Sequence, residues 1–187
     1  MLTTTMRTSL ITAEELERVS IPGKVTELIR GQLVVREPPG TWHGAVSARL
    51  TLRLGSFVEA QGLGLVFAQD TGFQIASNPD TVRAPDVAFV ARERLDAIHD
   101  RGYSALAPDL LAEVVSPDDR PGELLAKVAD WLVAGVRLIW VIDPLRKVAR
   151  VYRPDGSLTV LGEADALDGE DVLPGFSCGL KDLLSRP

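Results

Sequence analysis

The segment 109–140 constrains the fold more than any other part of the chain, because its apolar pattern predicts a strand, a polar turn, an amphipathic helix and a second strand. The first predicted strand, 110–115, is apolar apart from one glutamate, and the second, 138–142, is a continuous apolar run. Such a run is typical of a strand that is covered on both faces of a sheet. Two of these strands joined by one helix predict a βαβ unit with a right-handed crossover.

The glutamate inside the first predicted strand is Glu113. Side chains alternate along a strand, so Glu113 is expected to share a face with Leu111 and Val115. A charged group on a buried face has to be paired or has to bind something, because uncompensated burial of charge is very unfavourable. Glu113 is therefore a candidate functional residue.

The remaining pattern predicts further strands and helices around this unit. Glu27 interrupts the first strand of an opening hairpin, where alternation leaves open whether it faces solvent or the interior. The predicted elements are a short capped helix at 12–19, hairpin strands at 25–29 and 32–35, a helix at 42–60, strands at 63–68 and 72–76, a loop at 77–85, a strand at 86–90, a short helix or lid at 92–101, strands at 148–152 and 158–161, and a short helix at the C-terminal end.

Length and composition predict one domain over residues 1–187. The 187 residues, of which 45% are hydrophobic, suffice for one well-buried core. No apolar run reaches the roughly 20 residues that span a bilayer, and the first ten residues lack the pattern of a signal peptide. We therefore expect a soluble, cytoplasmic protein without membrane association. The lone Cys178 has no partner for a disulfide or a thiolate metal site and is expected to be a small buried residue.

The net charge of -6 argues against a protein that coats nucleic acid non-specifically. It does not exclude a nucleic-acid enzyme, which needs only a local basic surface and a metal ion to offset its own carboxylates. Candidate basic surfaces are Arg49 with Arg53, and Arg92 with Arg94 and Arg101. Each of these groups, taken alone, is interpreted more simply as solvated arginines.

Two carboxylates and one lysine form the candidate site. Asp86 and Glu113 are predicted on neighbouring strands, and Lys127 flanks the apolar stripe of the helix that follows Glu113. Two such carboxylates can bind Mg²⁺, which activates water, while a lysine stabilises developing charge. Alternatively, Glu113 pairs with an arginine, Asp86 caps a turn and Lys127 is a helix residue that extends its ammonium to solvent. The residue pattern alone leaves both interpretations open.

Several longer motifs resemble a known family. APDVAFV, PDLLAEVVSPDDRPGELLAKVADWLVAGVRLIWVIDP, VYRPDG and LPGF are similar to the Uma-type family of restriction-endonuclease-like proteins in the PD-(D/E)XK nuclease superfamily. The resemblance extends from TELIRGQLVV to the LPGF tail. It implies an α/β fold with a restriction-endonuclease-like core, a mixed sheet flanked by helices, and additional hairpins. It also implies an active site in which an aspartate, a second acidic residue and a lysine surround Mg²⁺ or Mn²⁺.

The resemblance carries over residue by residue, with one departure. Asp86 matches the aspartate of the first element and Glu113 the acidic residue of the second. The superfamily places its lysine two residues after that acidic residue, where this chain has Val115. The family instead has a lysine on the next helix, and this lysine matches Lys127. The resemblance thus implies a lysine that has moved in sequence while keeping its place in space.

Three further positions match the family less directly. Glu27 matches a glutamate of the opening hairpin and is a further candidate metal ligand. Trp131 stands where the family usually has a tyrosine, which puts any hydroxyl role there in doubt. His43 lies near a histidine that is common in the family, but a single histidine is more often a surface or hydrogen-bonded residue, and we assign it no chemistry.

The sequence therefore predicts a Mg²⁺-dependent or Mn²⁺-dependent endonuclease that hydrolyses DNA phosphodiester bonds and acts as a homodimer, so that two sites meet two strands. Two other functions remain open. A catalytically inactive binding or assembly protein with the same fold fits the acidic charge and the missing strand lysine. A hydrolase of small-molecule phosphodiesters fits the low positive charge.

Overall fold

The computed structural model describes residues 10–186, so the expectation that the first ten residues lack a signal peptide falls almost entirely outside it. In chain order the elements are helix α1 (Ala13–Leu16), strands β1 (Val25–Ile29) and β2 (Gln32–Arg36), helix α2 (Thr41–Gln61), strands β3 (Gly64–Ala68), β4 (Phe73–Ala76), β5 (Thr81–Arg83) and β6 (Val87–Ala91), a 3-10 helix (Arg92–Ala97), strand β7 (Leu110–Val114), helix α3 (Pro121–Val133), strands β8 (Leu138–Asp143), β9 (Val148–Tyr152), β10 (Leu158–Leu161), β11 (Ala166–Asp168) and β12 (Ser177–Gly179), and helix α4 (Leu180–Leu184).

The βαβ unit predicted from the sequence consists of β7, α3 and β8. The two strands pair in parallel, with Glu113 opposite Val141, and every residue of both strands is buried. Pro121 occupies the start of α3, where its fixed φ suits the helix and its missing N–H would have had no partner. This unit forms the centre of the larger sheet.

The larger sheet has six strands in the order β10-β9-β8-β7-β6-β3, and all pairs except β7 with β8 are antiparallel. Helix α2 and the C-terminal segment cover one face, where Leu110, Ala112 and Val114 point. Helix α3 covers the other face, where Leu111 packs with Val128. The mixed sheet with helices on both faces confirms the predicted fold class, and strand alternation puts Glu113 on the α3 side.

A second sheet of four strands, in the order β2-β1-β5-β4, carries the opening hairpin. Its turn lies at Arg30 and Gly31, as predicted, and both have positive φ, of 50° and 76°. Strand β5 lies inside the segment predicted as a loop, so that prediction is wrong for residues 81–83. The strand forms because all three residues are buried and Val82 pairs with Leu28, a contact distant in sequence.

Other differences from the prediction concern short elements. The capping box at Thr12 and Glu15 is present, but α1 ends at Leu16 and not at residue 19. The pair of strands β11 and β12 was not predicted from the sequence. Cys178 lies in β12 and is buried, as expected. Within residues 10–186, no helix combines the length and apolar character needed to cross a membrane.

Candidate functional site

An open cleft of about 790 Å³ brings the candidate residues together. Its walls come from the β1–β2 hairpin, the start of α2, the end of β7 and the first half of α3. Eight of the lining residues are acidic and three are lysine or arginine, so the cleft carries a strongly negative charge. The members that concern the predicted site are Glu27, His43, Asp86, Glu113 and Lys127.

Glu113 is held from helix α3 by two hydrogen bonds. Lys127 and Trp131 are four residues apart and therefore lie on the same face of the helix. The Lys127 Nζ donates to Glu113 Oε2 at 2.9 Å, and the Trp131 Nε1 donates to Oε1 at 3.0 Å. Each carboxylate oxygen thus accepts one bond. The alternative in which Glu113 pairs with an arginine does not apply, since its cationic partner is Lys127.

The ionisation of this pair reflects its surroundings. Burial, together with the charges of Asp86 and Glu27, raises the pKa of Glu113 to about 7, although Lys127 opposes the rise. Burial acts to lower the pKa of Lys127, but the three carboxylates of Glu113, Glu27 and Asp86 outweigh it and raise that pKa. The direction of this shift favours the protonated form of Lys127, which supplies a positive charge to the cleft.

Asp86 immediately precedes β6 and is fastened to the strand that carries Glu113. Its N–H donates to the Ala112 carbonyl at 3.2 Å, and its Oδ2 accepts the Val114 N–H at 2.7 Å. His43 Nε2 lies 3.1 Å from the same oxygen. No hydrogen bond from another described residue ends on Oδ1. One oxygen of Asp86 thus fixes the side chain, and the other is available to a ligand in the cleft.

The contact of His43 with Asp86 was not predicted from the sequence. His43 is in the first turn of α2, is 8% exposed, and its Nδ1 lies 3.5 Å from the Ser47 hydroxyl. Burial acts to lower its pKa, but the hydrogen bond and charge of Asp86 outweigh this effect and raise it. A signal was present, because His43 continues the helical stripe through Val46 and Leu50, and a polar residue on a buried stripe needs a partner.

Glu27 is 2% exposed, so the interior alternative of the two left open by the sequence is the correct one. Its Oε1 accepts the Ala84 N–H at 3.1 Å and lies 3.5 Å from Lys127 Nζ. Its Oε2 lies 3.3 Å from an Arg83 nitrogen and 3.4 Å from Arg36 Nε. Burial acts to raise the pKa of Glu27, but Lys127, Arg83, the Ala84 N–H and Arg36 outweigh it and lower that pKa.

Arg83 is a buried member of the site that the sequence pattern does not single out. It lies on β5, inside the segment predicted as a loop, and is 3% exposed. Besides Glu27 it binds Asp130 of α3, with 2.5 Å between the guanidinium and a carboxylate oxygen. Glu27 thereby joins two buried cations, Arg83 and Lys127. The Lys127 ammonium also donates to the Ala84 carbonyl at 3.0 Å, which completes its surroundings.

The donor set suits a hard divalent cation. Across the described range 10–186, no three His, Cys, Asp or Glu side chains form a preformed metal cluster. Mg²⁺ is commonly bound by only one or two carboxylates, with water and phosphate oxygens supplying the other positions. Asp86 and Glu113 line one cleft and are carboxylates of this kind. Each Glu27 oxygen already has two contacts, with cations or a backbone N–H, so this side chain could bind a metal only by losing one of them. Each Glu113 oxygen accepts only one hydrogen bond from the described residues and keeps a second lone pair for a metal.

The arginines proposed as basic surfaces are partly engaged elsewhere. Arg49 donates to the carbonyls of Leu183 and Ser185 at 3.1 and 2.6 Å. Arg94 forms an ion pair with the buried carboxylate of Asp109 at 2.8 Å. The interpretation of these two as simply solvated is therefore wrong, and neither lines the cleft.

Comparison with known proteins places the chain in a family. A crystal structure described as a putative nuclease belonging to DUF820 from Anabaena variabilis ATCC 29413 is similar to it, with a TM-score of 0.78 and 24% identity over 93% of this chain and 97% of that chain. At this identity the likeness concerns the fold, and it supports the predicted fold class. Among curated proteins nothing matches. A family model matches residues 13–181, most of the chain. The chain therefore belongs to the Uma2 family, described as "Putative restriction endonuclease".

Proposed function

We propose that the protein is a divalent-metal-dependent nuclease that hydrolyses DNA phosphodiester bonds, with Asp86 and Glu113 as metal ligands. The observation that carries the proposal is the contact of the Lys127 ammonium with Glu113 at 2.9 Å, in the cleft that Asp86 also lines. This contact brings a lysine from α3 to the acidic pair, as the migrated lysine of the family requires. Membership of the Uma2 family supports the same reaction class.

Each metal ligand has neighbours that orient it. The Val114 N–H and His43 hold one oxygen of Asp86, and Trp131 holds one oxygen of Glu113. When bound, Mg²⁺ or Mn²⁺ would polarise the phosphoryl group and lower the pKa of a water molecule. The excess of carboxylates in the cleft supports a cation requirement, because a phosphodiester would otherwise be repelled.

Lys127 contributes a fixed positive charge in this proposal. Its raised pKa favours the protonated ammonium, which would stabilise the negative charge that develops on the phosphoryl oxygens. Its stem runs from α3 to the sheet, and its ammonium is fixed by Glu113 and the Ala84 carbonyl. A charged group that is fixed before the reaction stabilises the transition state more than a mobile one, because no free energy is needed to reorient it during the reaction.

Glu27 acts as a positioning residue for Lys127 in this proposal. The sequence makes it a candidate metal ligand, but its 3.5 Å approach to Lys127 Nζ and its contacts with Arg83 and Arg36 favour a structural role beside the metal. The Arg83 bridge to Asp130 extends this support to α3. Loss of Glu27 would then displace the lysine and leave the metal ligands in place.

One observation favours a second candidate function. With eight acidic lining residues against three basic ones, the cleft repels a polyanion more strongly than a small phosphodiester. A small-molecule phosphodiester hydrolase that uses the same residues is therefore the alternative.

The proposal for DNA also includes a homodimer, which would present one site to each strand, and a cytoplasmic location. Sedimentation equilibrium of the purified protein with and without duplex DNA tests the dimer.

The test of the function is a substrate panel. Purified protein is incubated with supercoiled plasmid, linear duplex, single-stranded DNA and bis(p-nitrophenyl) phosphate, with Mg²⁺ or Mn²⁺ and with EDTA in parallel. We expect metal-dependent DNA cleavage that is lost in Asp86→Ala. Asp118→Ala is the matched control, because Asp118 lines the same cleft but is exposed at its rim. Hydrolysis of the small ester without DNA cleavage would select the alternative, and no hydrolysis of either would contradict both.

A further inference from the structure

A second groove, which we call the Trp42 groove, lies beside the start of α2. It has a volume of about 420 Å³ and is lined by Trp42, Pro144, Leu145, Lys147, Glu163, Lys181, Leu184, Ser185 and Arg186. Three lining residues are basic and one is acidic, in a protein whose net charge is -6. The Trp42 groove is thus the opposite of the acidic cleft in charge.

Trp42 supplies an aromatic surface amid these cations. Its indole is half-buried against the core, and the guanidiniums of Arg186 and Arg49 lie over the ring, with their Cζ atoms 4.9 and 5.4 Å from its centroid. Arg49 is fixed by its bonds to the Leu183 and Ser185 carbonyls. Lys147 is paired with Glu163 at 2.8 Å, whereas Lys181 is exposed on α4. A flat aromatic ring beside several cations is the combination that binds unpaired bases and their phosphates.

The Trp42 groove and the acidic cleft lie at the same end of α2, although they share no lining residue. Trp42 and His43 are consecutive residues in the first turn of α2, and their Cα atoms are therefore about 3.8 Å apart. His43 reaches Asp86 in the cleft, while Trp42 lines the groove. The first turn of α2 separates the two sites, so a single strand that occupied both would have to pass this turn.

We propose that the Trp42 groove binds single-stranded DNA next to the cleft, with one base taking the place of the Arg186 guanidinium on the Trp42 indole, and phosphates at Lys181 and the displaced Arg186. Without metal the eight acidic residues of the cleft repel phosphate, so affinity for a polyanion in the absence of metal has to come from a neighbouring surface. Stacking needs an unpaired base, which selects a single strand over a duplex. The link to cleavage rests on the proposed function, whereas the binding itself can be measured without any metal or turnover.

The test is fluorescence anisotropy of an end-labelled oligothymidylate of about twelve nucleotides, within the range of single-strand site sizes, in EDTA at low salt. We expect binding by wild type and about tenfold weaker binding by Trp42→Ala, because one stacked base is lost. Trp42→Phe keeps an aromatic ring and should lose less. Lys181→Ala should reduce the slope of log K against log salt by about 0.7, the value for one phosphate contact to a single strand.

Arg18→Ala is the matched control for Lys181→Ala, since Arg18 is basic and exposed, lines neither the cleft nor the Trp42 groove, and belongs to no candidate basic surface. Equal affinity in wild type, Trp42→Ala and Lys181→Ala would overturn the proposal. Equal losses in Lys181→Ala and Arg18→Ala, or tighter binding of a duplex of the same length, would also overturn it. Should Trp42→Ala not fold, Trp42→Phe and the comparison of Lys181→Ala with its arginine control decide the question. If wild type cleaves DNA but shows none of these binding effects, only the proposed role of the Trp42 groove is contradicted. If binding depends on Trp42 but no DNA is cleaved, only the proposed nuclease activity is contradicted.

Discussion

The ammonium of Lys127 lies 2.9 Å from the carboxylate of Glu113, although the two residues are 14 positions apart and belong to different elements. In the superfamily pattern that the sequence resembles, the lysine shares a strand with the acidic residue. In this chain the residue two positions after Glu113 is the apolar Val115, and the lysine that contacts the Glu113 carboxylate, Lys127, comes from α3. A lysine has a long flexible stem, so a helix packed on the sheet can deliver its charge to the strand.

Metal binding should stabilise the fold through Asp86 and Glu113. A ligand that binds only the native state, present at 100 times its dissociation constant, stabilises it by about 2.7 kcal/mol. Thermal denaturation with and without Mn²⁺ should therefore show a higher Tm with metal in wild type. Asp86→Ala/Glu113→Ala should lose this shift while Asp118→Ala keeps it. A shift of wild-type size in the double variant would exclude both residues as ligands.

Trp131→Phe should affect Glu113 through the loss of one hydrogen-bond donor. The Nε1–H of Trp131 binds the buried carboxylate, and a lost bond to a charged group costs about 1.5–3 kcal/mol. Trp140→Phe is the matched control, because Trp140 is equally buried and its Nε1 has no hydrogen-bond partner among the described residues. Urea unfolding should therefore show a larger loss of stability for Trp131→Phe than for Trp140→Phe.

The role of Trp131 as a positioning residue has a second readout. If its N–H orients Glu113, Trp131→Phe should raise the Mn²⁺ concentration needed for half-maximal cleavage, whereas Trp140→Phe should leave it unchanged. Equal stability losses and equal Mn²⁺ dependence in the two variants would assign Trp131 to packing alone.

Glu27→Gln should separate a positioning role from metal binding. The substitution keeps the side-chain shape but leaves the buried cations Arg83 and Lys127 without one counter-charge, for which about 3–5 kcal/mol of destabilisation is typical. Glu37→Gln is the surface control: its carboxylate pairs with Lys24 but is 78% exposed, so its loss should stay within about 1 kcal/mol. Glu27→Gln should retain the Mn²⁺-dependent rise in Tm, and disappearance of that rise would make Glu27 a metal ligand.

The parts of the site that the sequence predicts lie on elements with clear periodicity. Strand alternation puts Glu113 on the face opposite Ala112, and the stripe of α3 puts Lys127 one turn before Trp131, so both could be placed before any coordinates were known. His43 was within reach of the same reasoning, since it continues the buried stripe of α2.

Periodicity could not predict Arg83 or strand β5. Three residues are too few for a periodicity, and the strand exists because Val82 pairs with Leu28 across a long stretch of chain. The orientation of Glu27 depends on the same contact, because its partner Arg83 lies on that strand. Pairings between distant short segments leave no local pattern, and for this reason Arg83 and its contact with Glu27 could not be predicted from the sequence.

The most direct measurement of the central claim is single-turnover DNA cleavage by Lys127→Ala, with its folding checked by circular dichroism and its metal binding by the Mn²⁺-dependent rise in Tm. Removal of one preorganised electrostatic contact typically lowers the rate by about 10²–10³-fold. The account predicts a loss of at least this size, with the rise in Tm largely retained because Asp86 and Glu113 remain. A folded Lys127→Ala protein that cleaves DNA at the wild-type rate would contradict it.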